Sequence, residues 1–155
     1  MIVQKTFRLL GILAIAAQFN CFPALAADGE PSSQAESGWS TNFSESLDRA
    51  EKEHKLVLAD FYTSWCGWCK RLDQTTFADP AFNQYLNEHF IAVKLNAEDH
   101  GEGQRTAEKN DVSAYPTGLV FRPNGKVVGR IFGYFDASQY KAKLVKFAKK
   151  APKHH

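Results

Sequence analysis

Cys66 and Cys69, separated by Gly67 and Trp68, are the side chains of this sequence best suited to chemistry. Two thiols at this spacing can close on each other, or act in turn on a disulfide presented to them. The attacking species is a thiolate, not a thiol. If a helix begins at Cys66, its unpaired N–H groups and the positive end of its dipole favour a negative sulfur there. Such a sulfur ionises below the free-thiol pKa of about 8.5. Cys69 then lies one turn further on and faces back, placed to attack a mixed disulfide at Cys66 and release the partner reduced. Cys66 is the expected nucleophile, Cys69 the expected resolving thiol, and the two together a redox-active disulfide.

Other uses of the pair fit less well. A zinc site needs further ligands, and His54, His89 and His100 show no ligand spacing. Covalent haem attachment needs His directly after the second Cys, where this chain has Lys70. As an inert bridge, a loop closed over two residues removes little unfolded-state entropy. The reading calls for no metal and no cofactor.

The ends of the chain narrow the setting. Lys5 and Arg8 precede an apolar run from Leu9 to Ala17 broken only by Gly11, and Ala24-Leu25-Ala26 supplies small residues for cleavage. Residues 1–26 read as a secretory signal peptide. The run is shorter than the roughly 20 residues of a membrane-spanning helix, which argues against an uncleaved anchor. Gln18-Phe19-Asn20 makes a poor lipobox before Cys21. Cleavage removes Cys21 and leaves Cys66 and Cys69 as the only cysteines. It also removes two of the 19 Lys and Arg residues, so the remainder balances the 17 Asp and Glu. No composition argument for nucleic-acid binding survives.

The rest of the chain must position the pair, and its length suits one domain. Residues 27–42 are small and polar and read as a flexible linker, followed by a domain over 43–151 and a tail over 152–155. Ser44 is the expected N-cap of a first helix with Leu47, Ala50 and His54 near one face. Leu56 to Tyr62 suits a central strand buried on both faces. A helix from Cys66 to about Thr75 follows. Asp79-Pro80 supplies an N-cap and first-turn proline for a helix carrying Phe82, Tyr85, Leu86 and His89. Strands are expected at Phe90–Leu95, Thr117–Phe121 and Lys126–Phe132, with the last two joined by the Pro123-Asn124-Gly125 turn. A short helix fits around Arg105 to Lys109. Asp136 is placed to cap a last helix with Tyr140, Leu144, Phe147 and Ala151 inward and its lysines in solvent. Strands alternating with helices imply a layered α/β domain, and Cys-x-x-Cys at a strand-to-helix turn of one is a redox signature.

The segment Asp60-Phe61-Tyr62-Thr63-Ser64-Trp65-Cys66-Gly67-Trp68-Cys69-Lys70 resembles the active-site segment of the thioredoxin superfamily. The continuation Thr76-Phe77-Ala78-Asp79-Pro80 narrows this to the periplasmic C-terminal thioredoxin-like domain of the transmembrane thiol:disulfide interchange reductase. The similarity covers roughly residues 45–150. It implies a thioredoxin fold, a central mixed β-sheet flanked by helices on both faces. It also implies a stand-alone secreted relative without the reductase's membrane segments.

The resemblance assigns further roles. Asp60 matches a buried acid that accepts the proton of Cys69 during resolution. An acid inside an apolar run is costly unless used, although an Asp can also simply end a strand. Lys94 matches a lysine that pairs near that acid; a solvated strand residue is the alternative. Pro116 matches the cis-proline facing the cysteines, with the backbone of Tyr115 free to pair with an extended substrate. Gly133 matches a loop glycine that admits substrate backbone, or is an ordinary turn glycine. Trp65, Gly67 and Trp68 are the remaining substrate-facing candidates, with packing the simpler role for Trp65. Two departures stand out: Gly67-Trp68 replaces the usual Gly-Pro, and Tyr115 replaces a smaller aliphatic residue. The expected function is a periplasmic disulfide reductase that takes electrons from a membrane thiol:disulfide reductase and acts on oxidised secreted proteins. Apocytochrome maturation is one client pathway by analogy. An oxidase or isomerase using the same cysteines, and a non-catalytic binding module or chaperone, are the alternatives.

Overall fold

The computed structural model describes residues 38–150. The expected leader, the first part of the linker and the C-terminal tail lie outside them. In chain order the elements are β1 (Trp39–Ser40), α1 (Phe43–Glu53), β2 (Leu56–Tyr62), α2 (Gly67–Gln74), α3 (Pro80–His89), β3 (Phe90–Asn96), α4 (Glu102–Lys109), β4 (Thr117–Phe121), β5 (Val127–Phe132) and α5 (Ala137–Lys150). The five strands form one sheet in the order β1-β3-β2-β4-β5. β3 is parallel to β1 and β2, while β4 is antiparallel to both β2 and β5. This is the expected mixed sheet.

The period of two along each strand divides the core. Val57, Ala59 and Phe61 of β2, with Ile91, Val93 and Leu95 of β3, pack with Ala50 of α1 and Ala107 of α4. Leu56 and Leu58, with Phe90 and Ala92, pack on the other side with Leu72 of α2, Phe82 and Leu86 of α3, and Tyr140 and Leu144 of α5. Helices therefore cover both faces, as a strand buried on both sides requires. Each fully buried Phe or Leu contributes roughly 1.5–3 kcal/mol. Their number lets the core tolerate one buried acid, and Asp60 falls on the second of these faces.

The α3 start matches its reading: Asp79 accepts the Phe82 N–H at 2.6 Å, with Pro80 in the first turn. Asp136 accepts the Gln139 N–H at 2.8 Å at the start of α5. Two local expectations are corrected. Asn42, not Ser44, caps α1, accepting the Glu45 N–H at 2.9 Å. Ser44 is instead inside the first turn, where its N–H and hydroxyl both donate to Glu102. The segment read as flexible linker also ends early. Trp39 and Ser40 pair with Ala92 and Val93 as β1, and Trp39 packs against Phe77 with ring centroids 4.6 Å apart. A two-residue strand carries no alternation to read. Helix α4 begins at Glu102, ahead of the expected start near Arg105.

Candidate active site

β2 delivers the chain to the site, and α2 begins where it ends. Cys66 is the N-cap of α2, with extended backbone at φ −74° and ψ 101°. Its sulfur accepts the N–H of Cys69 at 3.1 Å, the place an Asp or Ser oxygen takes at other helix starts. Cys66 and Cys69 are joined in a disulfide. Only 5% of Cys66 and 2% of Cys69 is exposed, so the disulfide is nearly buried and Cys66 is the more exposed of the two.

The strand register places the buried charges. Asp60 lies opposite Lys94 across β2 and β3 and opposite Gly118 across β2 and β4. Lys94 donates to Asp60 Oδ2 at 3.0 Å and also pairs with Asp73 of α2. The Lys94 ammonium lies 5.4 Å from the Trp39 ring, 5.5 Å from Tyr62 and 5.0 Å from Phe77. Lys94 is thus a half-buried ion-pair partner, not a solvated strand residue. Asp60 is fully buried, and burial pushes its pKa up from 3.8 to about 6 against the opposing pull of Lys94. Asp60 Oδ1 and the Tyr140 hydroxyl are both buried with no hydrogen-bond partner among the described residues. A side chain at Gly118 would collide with that hydroxyl, so the glycine makes room for Tyr140 beside the acid.

The solvent side of the site is a closed circuit of contacts. Trp65 stands edge-on to Tyr115 at 6.1 Å. The Tyr115–Pro116 peptide is cis. Pro116 O accepts the N–H of Gly133 at 2.9 Å, and Tyr134 lies 5.7 Å from Trp68. The circuit joins Trp65, Tyr115, Pro116, Gly133 and Trp68, all expected from sequence, and the two tryptophans bracket Cys66 and Gly67. Gly133 takes φ +84° with open space where a Cβ would stand, so the turn needs a glycine and the surface stays clear. Gly67 likewise has nothing near its missing Cβ. The packing role for Trp65 is corrected: it is 70% exposed, and Trp68 is 56% exposed.

A profile of the thioredoxin-like domain family matches residues 43–148. The chain belongs to that family. Thioredoxin-1 of Saccharomyces cerevisiae is 39% identical over 87 residues, 56% of this chain and 77% of its own length. The thiol:disulfide interchange protein DsbD of Photorhabdus laumondii is 30% identical over 96 residues, 61% of this chain. This chain spans only 17% of that DsbD. A solution structure from Bacteroides thetaiotaomicron, described as a proposed disulphide-isomerase, is 40% identical with a TM-score of 0.62. It covers 74% of this chain and 96% of its own. Thiol:disulfide oxidoreductase activity through a Cys-x-x-Cys disulfide follows for this thioredoxin-like chain.

Three residues of the site were not singled out from sequence. Glu98, just after β3, accepts the Ser64 N–H at 2.7 Å and the Trp65 indole N–H at 2.8 Å. The Ser64 N–H is the main cause that holds the Glu98 pKa below 4.5. Asp73 binds Lys94, and Arg71 lies over Trp68 and Tyr134. Asp73 carried a weak signal, four residues after Cys69 on the same helix. Glu98 sits in a polar stretch with no motif, and only the return of β3 beside β2 brings it to Trp65. Among the described residues, no group of three or more His, Cys, Asp or Glu side chains is arranged to hold a metal. None of their helices is long and apolar enough to cross a membrane.

Proposed function

We infer that this thioredoxin-like chain is a periplasmic protein-disulfide reductase, with Cys66 as nucleophile and Cys69 as resolving thiol. The observation that carries the roles is the Cys66 sulfur at the start of α2, accepting the Cys69 N–H. In the reduced protein the same N–H and the helix dipole favour a thiolate at Cys66. That thiolate attacks one sulfur of a partner disulfide, forms a Cys66–partner bond and releases the other partner sulfur as a thiolate, which takes up a proton from water. Cys69 then gives its proton to the Asp60 carboxylate and attacks Cys66, and the second partner sulfur leaves as a thiolate that takes up a proton from water. Two electrons pass to the partner, and the chain is left with the Cys66–Cys69 disulfide.

Asp60 suits the proton-accepting role because it is fully buried with a pKa of about 6, beside Lys94. Trp65, Gly67, Trp68, Tyr115, Pro116 and Gly133 form the surface for an extended partner segment. Reduction of the disulfide in turn requires a dithiol donor, and a membrane thiol:disulfide reductase fits the DsbD similarity. The leader expected over residues 1–26 is the basis for proposing export; cleavage after Ala26 and recovery in the periplasmic fraction test it.

An equilibrium with glutathione tests the direction. A reductase has a potential near the thioredoxin value of about −270 mV, and a value near −120 mV overturns the reading. Trp68 in place of proline, with the Bacteroides relative's proposed isomerase role, favours the second reading of an oxidase or isomerase. A Cys69→Ser variant traps mixed disulfides at Cys66 in cells, and the attached proteins name clients and donor together.

A further inference from the structure

The solvent face of α2 carries a cation held in an unusual way. The Arg71 guanidinium lies 5.4 Å from the centre of the Trp68 ring and 5.2 Å from that of Tyr134. The two rings are themselves 5.7 Å apart. The Tyr134 hydroxyl is 3.2 Å from Thr75 Oγ1, which donates to the Arg71 carbonyl at 2.7 Å. The two rings and the Tyr134 hydroxyl therefore hold this side chain, two residues along α2 from Cys69. A guanidinium carries five N–H donors, so the contact of Arg71 with the Tyr134 hydroxyl leaves others for a carboxylate.

The charges around it point the same way. Neither Arg71 nor its exposed neighbour Lys70 has a carboxylate partner among the described residues. The acids nearby are already committed. Asp73 binds Lys94, Glu98 binds Ser64 and Trp65, and Asp136 caps α5 through the Gln139 N–H. Just after Cys69, α2 thus offers two exposed cations without a carboxylate partner among the described residues, one of them preorganised. Preorganisation matters because most of the entropy of ordering a long side chain is then spent before a partner arrives.

We propose that Arg71, held against Trp68 and Tyr134, is a specificity-determining residue that selects partner segments with an acidic side chain beside the reacting cysteine. The proposal rests on the disulfide-exchange reading above and adds the class of substrate. The carboxylate docks on the Arg71 fork, with Lys70 adding to the field, while the segment's backbone lies along Tyr115 and Pro116. Arg71→Lys keeps the charge but loses the planar fork.

Three disulfide-bonded peptides of equal length test this, with Glu, Gln or Lys flanking the cysteine. The pre-reduced chain is mixed with each, and single-turnover rates are divided by the rates of the same peptides with dithiothreitol. That division removes the effect of flanking charge on the leaving thiol. The Glu peptide is expected to react about three- to tenfold faster than the Lys peptide at low salt, with the ratio collapsing at high salt. Arg71→Glu inverts the order, Arg71→Lys keeps part of the preference, and Tyr134→Leu reduces it although the charge remains. The same ratio in the parent chain and in Arg71→Glu, or an equal loss on all three peptides, overturns the proposal. No transfer to any peptide by the parent chain overturns the disulfide-exchange reading instead.

Discussion

Two carboxylates hold opposite ends of the segment that leads into Cys66, and their surroundings push them in opposite directions. Asp60 sits inside the sheet, where burial raises its pKa to about 6. Glu98 lies in solvent, where the Ser64 N–H and the Trp65 indole hold its pKa below 4.5. The buried acid costs stability when ionised and can hold a proton near neutral pH. The exposed acid stays ionised and acts as a clasp. In the proposed mechanism, chemistry at Cys69 calls on the inner carboxylate, and the shape of the partner surface on the outer one.

The most disruptive way to probe this contrast is to remove the cation from the inner acid. Lys94→Met leaves Asp60 Oδ2 without its partner, and a buried charge stripped of its partner costs about 3 kcal/mol. Urea melts at pH 8 are expected to show that loss. It shrinks at pH 5, where Asp60 takes up a proton, and in an Asp60→Asn background. An equal loss in both backgrounds means that Lys94 acts through its stem against Trp39, Tyr62 and Phe77 instead.

Asp60→Asn comes next. The folded-state pKa of about 6 exceeds the ordinary 3.8, so the folded chain holds this proton more tightly than the unfolded chain. Its contribution to stability is greatest below pH 3.8, falls as pH rises towards 6, and levels off above that. The whole span corresponds to roughly 3 kcal/mol. Asp60→Asn removes this dependence and raises stability at pH 8 by about 2 kcal/mol, while Lys94 keeps Asp73. The same variant slows release of a partner from its mixed disulfide. A stability profile unchanged between pH 4 and pH 7 contradicts the raised pKa.

Tyr140→Phe is a smaller perturbation on the same side. The hydroxyl is buried without a partner among the described residues, and both burial and the charge of Asp60 push its pKa well above 10. The ring is held by Phe77 at 5.4 Å and Phe82 at 5.7 Å, contacts that phenylalanine keeps. Deleting an unpaired buried hydroxyl is expected to be neutral or stabilising, by up to about 1 kcal/mol. A clear loss in a thermal melt means instead that the hydroxyl holds Asp60 in place.

The inner side was legible in the sequence because it is built from strands. Asp60 interrupts the apolar run Leu56 to Tyr62, and that interruption is visible without any structure. The helix starts at Cys66 and Asp79-Pro80 were legible for a similar local reason, since a cap is fixed by a few adjacent residues. The outer side was not. Glu98 reaches Trp65 across 33 positions, and Arg71 meets Tyr134 across a still wider separation, through side-chain contacts that leave no period or spacing. Packing is the simpler expectation for Trp65 because a large aromatic is usually buried. Its indole N–H is satisfied by Glu98 at the surface, which lets the ring stand in solvent. β1 escaped notice because two residues after a polar stretch show no alternation, and its place is set by the free edge of β3.

The smallest expected effect is at Glu98, and it isolates the outer clasp. Glu98→Gln keeps one acceptor oxygen but faces the second N–H with an amide that donates, so only one of the two bonds to Ser64 and Trp65 survives. The group is exposed, so solvent screens the loss, and the melting midpoint is expected to stay within error. The spectroscopic signature is local. In the parent chain, acidification through the lowered Glu98 pKa releases the clasp, and the Trp65 indole N–H resonance moves as it does. In Glu98→Gln that resonance starts at the released position and no longer titrates. Tyr115 provides an independent readout, because burial and the Glu98 charge together raise its pKa. Removing the charge lowers the pH at which the Tyr115 phenol ionises, while the burial contribution remains. An unchanged Tyr115 titration together with a Trp65 shift means that the clasp acts through geometry alone. If neither moves, the loop before Cys66 is held by its own backbone, through the Cys66 N–H to Thr63 O bond at 3.3 Å.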